Sequence, residues 1–481
     1  MLLKKYKKKI LLKLNNNKIF KIISKLSKIL NYKSYLIGGY VRNLFLKKKY
    51  NTDIDIVTTG DSIILAKKFA KIIFSKKIYY FKRFKTAIVK YKTYNIEFVS
   101  TRKETYNIYN NKPNIKIFKS IKDDQSRRDF TINSIAISLN INDFGNIIDT
   151  YNGINDIKKK IIKTPINPNI TFYDDPLRMI RAIRFSSQLN FKINKKSIKS
   201  ILKNRDRIRI ISIERIIQEF NKIILSDKPS IGLKLMYKFG FLSIILPEFV
   251  DLKGKTNYNG FSYKDNFLHT LNVIDNISKL TNKLWLKWAT LLHDIGKSIS
   301  KKYIHKNGWT FYLHEIIGSN MIPQIFHRLK LPMKNNMKYV QNIIKYSNKP
   351  ICLSKKNVKN STIRKFIYEI GKNNIKDIIK LCNCDITTKN INKKKKLIKK
   401  VNNLYKKIKK IEKRDKIYNM KIPITGNDIM KKFNIKPCKI IGKIKKYIKN
   451  SIINGYIKNN YKEAYKLMIK KGKKLIFFKK K

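Results

Sequence analysis

Residues 35–57 constrain the fold of this chain more than any other stretch of the sequence. A short apolar run leads into Gly38 and Gly39, and apolar residues then recur at helical spacing as far as Phe45. Glycine allows a tight turn and a close approach of the backbone to a ligand. The pattern therefore predicts a strand, a glycine turn and a helix whose first amides can meet a phosphate group.

Two aspartates, Asp53 and Asp55, follow this helix in a strand-like segment whose other residues are apolar. Because side chains alternate across a strand, both carboxylates are expected on one face. Carboxylate oxygens side by side are what a divalent metal site needs. Glu97 stands in a later apolar strand. An edge charge facing water would also fit, but we favour a third carboxylate beside the pair.

The composition limits the class of protein but does not identify its binding partner. At 481 residues and 43% apolar content, the chain can form about two to four globular domains. The net charge of +80 points to nucleic acid. Lys, Asn and Ile are abundant everywhere, however, so compositional drift explains many lysines equally well. Arginine, which recurs inside motifs, is the better indicator of planar, bidentate binding.

Paired arginines, Arg127 and Arg128, precede a strongly apolar segment that contains Asn133. The arginines are read either as surface charges or as groups that face a triphosphate. Farther on, Asp174 or Asp175 can cap a helix, and Pro176 suits the first turn of that helix.

A row of one carboxylate and three guanidinium groups continues from this cap at a step of three residues, which predicts one helix face. An acceptor next to a donor is most simply an ion pair. The same order also matches the edges of cytosine and adenine and excludes guanine and uracil. The row consists of Asp175, Arg178, Arg181 and Arg184.

A second cluster of candidate ligands involves three of the five histidines, His269, His293 and His314. Asp294 follows His293 directly, and Asp385 lies farther along the chain. A His-Asp doublet at the end of an apolar helix also fits buried structure. With a distant histidine and aspartate added, the set suits a divalent transition metal.

The cysteines and the hydropathy pattern favour a reducing cytoplasm and no membrane partner. Four cysteines without zinc spacing are too few for a disulfide scaffold. No uncharged apolar run reaches about 18 residues. The tail after about residue 400 alternates Lys with apolar residues, which predicts basic helices that suit the elbow of a folded RNA. Its segment 426–430 reads as a helix start capped by Asn427 or Asp428.

The ordered motifs over about residues 30–245 closely resemble the class II tRNA nucleotidyltransferases, which comprise CCA-adding enzymes and bacterial poly(A) polymerases. The matching residues are Gly38-Gly39-x-Val41-Arg42, Asp53-x-Asp55, Glu97, Arg127-Arg128-Asp129-Phe130-Thr131-x-Asn133 and Asp174-Asp175-x-x-Arg178. Two residues depart from the family pattern. Asn43 stands where Asp is usual, and Asp174 stands where Glu is usual.

The resemblance implies roles for these residues. Asp53 and Asp55 would bind two Mg²⁺ ions, with Glu97 as a third catalytic carboxylate. Gly39, Arg42 and Arg128 would hold the triphosphate, and Asp175 with Arg178 would read the base. The full set of residues expected to bind the nucleotide is Gly38, Gly39, Arg42, Arg127, Arg128, Asn133, Asp175, Arg178, Arg181 and Arg184.

The histidine cluster resembles an HD domain, the fold of many metal-dependent phosphohydrolases. Ser347 occupies a place where relatives often have a histidine before Pro350. The resemblance therefore implies a one-metal site made of His269, His293, Asp294 and Asp385. Phosphohydrolase activity and a purely RNA-holding role both remain open.

The resemblance implies an α+β fold, with a polymerase beta-like head of mixed sheet and helices followed by a helical neck, an HD-type helical domain and a helical tail. We place a helical extension at 1–30, the head at 31–160, the neck at 161–250, the HD-type domain at 251–400 and a basic tail at 401–481.

The leading hypothesis is a CCA-adding enzyme that extends tRNA from CTP and ATP with Mg²⁺. A poly(A) polymerase, and an enzyme that adds only CC or only A, are alternatives within the family. From other classes, an HD phosphohydrolase with a degenerate head and a non-catalytic RNA-binding protein are disfavoured by the intact carboxylates.

Overall fold

The structure is a computed structural model, and it describes most of the chain in two units. The units are Met1–Phe241 and Leu242–Lys481. The described residues are 10–47, 52–107, 110–117, 120–254, 257–258, 261–262, 265–305, 308–355, 358–388, 390–415 and 422–477. The first nine residues of the predicted N-terminal extension lie outside these ranges.

A mixed sheet forms the centre of the first unit, and seven strands of the described chain build it in the order β3-β4-β5-β2-β1-β8-β9. Strands β2 and β5 run parallel, whereas the other neighbours run antiparallel. A separate antiparallel pair, β6 with β7, follows β5. The strands are β1 (Ser34–Ile37), β2 (Asp53–Thr58), β3 (Ile78–Phe81), β4 (Thr86–Tyr91), β5 (Tyr94–Ser100), β6 (Arg102–Asn107), β7 (Asn110–Ile117), β8 (Ala136–Ser138) and β9 (Ile147–Ile148).

The alternation of polar and apolar residues in β2 explains how this sheet is buried. Ile54 and Ile56 are fully buried on one face, and Asp53 and Asp55 project from the other. The buried face is covered by the helix Ser62–Ile72. Strands β4 and β5 form a hairpin in which Tyr91 pairs with Tyr94.

Helices complete the first unit and carry the site residues. We call Gly39–Leu46 the turn helix and Leu177–Leu189 the neck helix. The neck helix packs against Ile213–Ile224, whose apolar residues lie on one face. The other α-helices are Lys18–Ile29, Ser62–Ile72, Ile121–Ser126, Thr131–Ser134, Gly153–Lys159, Pro168–Asp174, Lys195–Asn204 and Pro229–Lys238, with 3-10 helices at Lys82–Phe84, Ile141–Asp143 and Arg205–Ile210 and a short parallel pair, β10 (Ile161–Ile162) with β11 (Lys192–Ile193).

The second unit is helical apart from two short strand pairs. These are β12 (Asn257–Tyr258) with β13 (Phe261–Ser262), and β14 (Lys302–Ile304) with β15 (Gly308–Thr310). Its helices are Pro247–Val250, Asn266–Ser278, Leu284–Leu292, Lys297–Ser300, His314–Arg328, Asn335–Lys345, Lys349–Leu353, Asn360–Ile370, Lys372–Asp385, Ile391–Asp415, Gly426–Phe433, Lys439–Asn454 and Tyr461–Phe477, and Phe241–Ile245 spans the division between the units.

The basic tail folds into helices around an apolar core of its own. Ile429, Ile444 and Ile448 are buried at its centre. The predicted helix start is present at Gly426, but the predicted cap was wrong. Thr425 caps the helix, because its hydroxyl accepts from the amide of Asp428 while the Asp428 carboxylate accepts from the amide of Thr425.

The predicted fold class, a mixed-sheet head followed by helical regions, is confirmed. The predicted domain boundaries stay predictions. None of the described helices combines the length and the apolar character that crossing a bilayer requires.

We expect Phe98→Ala to destabilise the first unit by about 3–5 kcal/mol, because Phe98 is fully buried in β5 against Phe69, with ring centroids 5.4 Å apart. The measurement is amide hydrogen exchange of the β2 and β5 peptides under increasing urea. Phe74, 92% exposed, provides the control. Phe74→Ala should change the free energy of unfolding by no more than about 0.5 kcal/mol, and equal effects of the two substitutions would contradict the assigned core.

Candidate active site

Asp53 and Asp55 of β2 and Glu97 of β5 project from one face of the head sheet. The parallel register of β2 and β5 pairs Asp55 with Glu97 and Asp53 with Asn95. Residues directly opposite each other project to the same face. The side-chain amide of Asn95 donates to Asp53 Oδ1 at 2.9 Å, which orients the outer carboxylate. The predicted third carboxylate thus lies on the strand next to the Asp pair.

Gly38 makes room for the inner carboxylate. Its φ of 84° lies in the left-handed region, and a Cβ at this position would stand 2.3 Å from Asp55 Oδ2. Any side chain here would therefore displace the Asp55 carboxylate or the turn. The first glycine of the pair is required for this reason, since it lets the turn helix begin directly beside Asp55.

The charge state of Asp55 reflects its surroundings. Burial raises the pKa of Asp55, the nearby Arg128 guanidinium opposes this, and the negative charge of Asp53 adds to it. Two carboxylates held this close repel each other, and a divalent cation relieves that repulsion. The oxygen donor set of this face fits such a cation.

The paired arginines are held by a buried aspartate that the sequence analysis missed. Asp124, fully buried, accepts from the Nε atoms of Arg127 at 2.9 Å and of Arg128 at 3.1 Å. Burial favours the neutral acid, but the two guanidinium groups outweigh it and lower the pKa of Asp124. The available signal was the spacing, since an acid three and four residues before paired arginines lies on their side of a helix.

A second buried aspartate joins the head motif to the neck helix. Asp129 Oδ2 accepts from Arg181 Nε at 2.9 Å, and Asp129 Oδ1 accepts from Asn133 Nδ2 at 3.0 Å. Burial opposes ionisation of Asp129, yet Arg181 and Asn133 hold its pKa well below the usual range. Arg181 is therefore fixed by the head, although it belongs to the neck.

Arg42 is anchored in the interior of the head. It donates from Nη1 to Asn133 Oδ1 at 2.8 Å and from Nη2 to Asn43 Oδ1 at 3.0 Å. Its guanidinium lies 5.1 Å from the centre of the Phe185 ring. Burial lowers the pKa of Arg42 to about 10, although Asp129 opposes this. The unusual Asn43 thus orients Arg42 through a neutral acceptor.

The two side chains of the predicted base-reading pair lie farther apart than in a close ion pair, and a second arginine lies beside them. Arg178 Nε lies 4.0 Å from Asp175 Oδ2, and Arg178 Nη2 donates to the Arg127 carbonyl at 2.7 Å. Asp175 Oδ1 also accepts from the amide of Leu177 at 3.3 Å, but the predicted cap was wrong, because Pro176 occupies the N-cap position of the neck helix. Arg215, which the sequence analysis missed, lies 3.7 Å from Asp175 Oδ2. No local sequence pattern connects Arg215 with this pair, because Arg215 lies on another helix, Ile213–Ile224.

Arg184 does not share the face of the other three residues in the predicted row. Its Nη1 lies 2.8 Å from Glu219 Oε2, and its guanidinium lies 4.0 Å from the centre of the Phe185 ring. Burial lowers the pKa of Arg184 to about 10, and neighbouring Arg181 adds to this. A step of three residues drifts around a helix of 3.6 residues per turn, so the fourth member points into the packing against Ile213–Ile224.

A cavity of about 330 Å³ brings the candidate groups together. Its lining includes two carboxylates of the sheet, the paired arginines and the start of the neck helix. The residues that matter most are Asp55, Glu97, Arg128, Asp175, Arg178 and Arg215. Six predicted site residues are not part of this lining among the described residues, so their contact with metal or nucleotide stays a prediction: Asp53, Gly38, Gly39, Arg42, Asn133 and Arg184.

The second unit assembles most of the predicted HD ligands. Within the described residues, ligand atoms of His269, His293 and Asp385 all lie within 4.8 Å of one another. Asp385 Oδ1 lies 2.8 Å from His269 Nε2 and 3.2 Å from His293 Nε2. The chemistry of the set, two imidazoles and a carboxylate, fits a divalent transition metal.

Asp294 and His314 stand beside this cluster. Asp294 Oδ2 lies 3.4 Å from His293 Nε2 and 2.6 Å from Lys297 Nζ, and Asp294 Oδ1 lies 3.6 Å from His314 Nε2. Burial alone would lower the pKa of His293, but Asp294 and Asp385 outweigh it and raise the pKa to about 9. Asp294 is therefore shared between the cluster and Lys297, and its role as a ligand stays a prediction.

Three protein-family models match successive parts of the chain. Residues 34–163 match the poly A polymerase head domain, residues 190–252 match a probable RNA and SrmB-binding site of polymerase A, and residues 266–368 match the HD domain.

Curated relatives resemble somewhat less than half of the chain. An A-adding tRNA nucleotidyltransferase of Aquifex aeolicus is 35% identical over 45% of this chain and 26% of its own length. A CCA-adding enzyme of Pediococcus pentosaceus is 34% identical over 43% of this chain and 50% of its own length. The chain thus spans about half the length, or less, of the curated relatives that it matches.

Solved structures share the fold at low sequence identity. The CCA-adding enzyme of Bacillus stearothermophilus in complex with CTP has a TM-score of 0.68 and 18% identity, over 94% of this chain and 98% of that one. The Thermotoga maritima CCA-adding enzyme complexed with tRNA has a TM-score of 0.58 and 21% identity, over 96% and 98% of the two chains.

The fold and the family matches define a protein with a nucleotidyltransferase head and a helical HD domain. The matched part of the sequence is similar to A-adding and CCA-adding tRNA nucleotidyltransferases, in agreement with the resemblance predicted from the motifs.

We expect Asp124→Asn to destabilise the first unit by about 1.5–3 kcal/mol, because it removes the buried negative charge to which the two half-buried guanidinium groups are bonded. The pKa of Asp124 is lowered in the folded state, so its contribution is present above the unfolded pKa of about 3.9 and is lost as the pH falls through the folded value. Urea unfolding followed by far-UV circular dichroism at several pH values measures both effects.

The matched control is Asp123→Asn, a neighbouring acid that is half-buried. It should leave the free energy of unfolding and its pH dependence close to those of the wild type. The assigned ion pairs predict that the wild type loses stability faster in acid than Asp124→Asn does. Equal losses of stability in the two proteins would contradict them.

Proposed function

We propose that this protein is a CCA-adding tRNA nucleotidyltransferase that adds C, C and A to the 3′ end of tRNA from CTP and ATP. The observation that supports this most is the cavity of about 330 Å³, where carboxylates of the sheet face arginines of the head and the neck. A nucleoside triphosphate needs both, because its phosphates require positive charge and its base requires a directional hydrogen-bonding partner.

The chain's own groups position the reactants. The tRNA 3′-hydroxyl attacks the α-phosphorus of the nucleotide, the bond to pyrophosphate breaks, and pyrophosphate leaves. Arg127 and Arg128, fixed by Asp124, neutralise phosphate charge from a rigid base, and Arg42 adds charge from the turn helix. Most of the rate comes from this positioning and neutralisation.

Asp53, Asp55 and Glu97 are the residues that would hold Mg²⁺. Bound Mg²⁺ would make the attacking 3′-hydroxyl of the tRNA more acidic and would neutralise negative charge on the leaving pyrophosphate. Asn95 keeps Asp53 oriented, and Gly38 leaves the Asp55 carboxylate accessible.

Asp175 and Arg178 would select the base by presenting an acceptor beside a donor. Cytosine and adenine offer the complementary order, whereas guanine and uracil offer the reverse. Arg215 is positioned to hold the Asp175 carboxylate from the other side.

The tRNA would contact the neck and the basic tail by shape and phosphate rather than by sequence. The histidine cluster supports a metal-dependent phosphohydrolase activity or a structural role in holding RNA. The free thiols of the four cysteines support a cytoplasmic location.

An A-only enzyme is the second candidate, because an A-adding tRNA nucleotidyltransferase of Aquifex aeolicus is 35% identical over 45% of the chain. Separate incorporation assays with each NTP on tRNAs lacking one, two or three terminal nucleotides distinguish the candidates. CCA addition extends all three, an A-only enzyme extends only the tRNA that lacks A, and a poly(A) polymerase adds a long A tract without using CTP.

We expect Asp53→Asn and Asp55→Asn each to reduce nucleotide incorporation by at least about a thousandfold, because charge neutralisation at the transferring phosphoryl group is lost. Binding of tRNA, measured by filter retention, should change little. Asp206→Asn, which alters a carboxylate whose side chain is 76% exposed on the neck, is the control and should retain full incorporation. Normal turnover by either variant would refute the assigned role of these carboxylates.

We expect the exchange of Asp175 for Arg and Arg178 for Asp to shift base choice from CTP and ATP towards GTP and UTP, since it reverses the order of acceptor and donor. The readout is the ratio of kcat/KM among the four nucleotides. The exchange of Arg205 with Asp206, a loose exposed pair 3.9 Å apart, is the matched control and should leave the ratio unaltered. Unchanged selectivity in the first variant would defeat the base-reading assignment.

A further inference from the structure

A second cavity, of about 560 Å³, lies in the helical second unit. It is bounded by the start of Leu284–Leu292, the start of Asn335–Lys345 and the first turns of Lys372–Asp385. His293 and Asp385 lie at the opposite ends of two of these helices. Eight or nine helical residues span about 12–14 Å, so this cavity is separate from the histidine cluster.

An aromatic side chain gives this cavity a flat apolar wall. Trp285 is half-buried, and its ring lies against Phe326 with centroids 5.9 Å apart and planes inclined by 36°. Leu284 and Tyr339 line the same space. Sites for small organic ligands have volumes of about 300–1,000 Å³ and mostly apolar walls, so a single planar ring system with a polar substituent fits here.

Uncommitted amides supply hydrogen-bonding capacity around the aromatic wall. Asn335, Asn336 and Asn342 all line the cavity. In the part of the chain that the structure describes, their side chains make no hydrogen bond. Each amide offers donors and an acceptor. Several of them beside one aromatic ring can bind the mixed donor and acceptor edge of a heterocyclic base.

A buried carboxylate fixes the polar wall. Asp377 is 2% exposed, and its oxygens accept from Lys283 Nζ at 3.0 and 3.2 Å and from the Tyr339 hydroxyl at 2.9 Å. Asp377 and Lys283 neutralise each other. Lys338 also lines the cavity and has no ion pair within the described ranges. The net charge of the lining is therefore positive, which suits a ligand with a phosphate group.

We propose that this cavity binds one nucleotide, with its base stacked on Trp285, its base edge bound by the asparagine amides and its phosphate beside Lys338. The same chemistry is offered by a free nucleotide and by an unpaired nucleotide of an RNA strand. The site is independent of the nucleotidyl transfer proposed for the head, because all its residues belong to the second unit.

The test is amide hydrogen exchange of the full chain, read by mass spectrometry at residues 284–288 and 335–342. The probes are the four nucleoside 5′-monophosphates and a short single-stranded oligoribonucleotide. We expect slower exchange at both segments, and the local readout separates this site from nucleotide binding in the head. Protection by monophosphates identifies a free nucleotide, protection by the oligoribonucleotide alone identifies an RNA strand, and no protection by any probe overturns the proposal.

Trp285→Leu removes the ring and keeps an apolar side chain against Phe326. Loss of stacking should weaken binding about tenfold. The matched control is Trp309→Leu, which removes another partly exposed tryptophan of the same unit and should bind as the wild type does. Asn342→Ala is the second variant, should Trp285→Leu not fold, and it should weaken binding too. Equal affinity of wild type, Trp285→Leu and Asn342→Ala would refute the site.

Discussion

The parallel pairing of β2 with β5 is the constraint on which the candidate active site depends. It sets Asp55 directly opposite Glu97, with Asp53 two residues earlier on the same face, so like charges are held near one another by the backbone hydrogen bonds of the sheet. Burial is the main reason that the pKa of Asp55 is raised, and the negative charge of Asp53 adds to it, so the ionised form of Asp55 is disfavoured in this arrangement. It is tolerated because Ile54 and Ile56 are fully buried on the other face, which fixes the register. A bound cation would neutralise the negative charges of these carboxylates and so reduce their mutual repulsion.

The guanidinium groups around the carboxylates are held in place before any ligand arrives. Asp124 fixes Arg127 and Arg128, Asp129 fixes Arg181, and these acids are buried. A planar group bound by two or more hydrogen bonds keeps its direction, which a lysine ammonium on a flexible chain does not. In a chain with a net charge of +80, this preorganisation and not the amount of charge distinguishes the arginines of the site.

In the second unit, two helices border the histidine cluster at one end and the cavity of about 560 Å³ at the other. Leu284–Leu292 and Lys372–Asp385 lead at their carboxyl ends into His293 and Asp385, where oxygen and nitrogen ligands converge. Their amino-terminal turns border the cavity that contains Trp285 and Asp377. The buried Asp377 is bonded to groups from two other segments and so ties these turns together. One helical layer can therefore support two separate sites.

The sequence by itself determined the class of fold, the three carboxylates, the paired arginines and the histidine-aspartate set, because alternation and spacing place such residues on predictable faces of local elements. It did not identify Asp124, Arg215 or Glu219 as partners, and it assigned Arg184 to the wrong face of the neck helix. Tertiary structure decided these contacts, since each depends on how a helix packs or which residue lies deep enough to need a charged partner. Local pattern specifies which face a side chain occupies, but only packing specifies what that face meets.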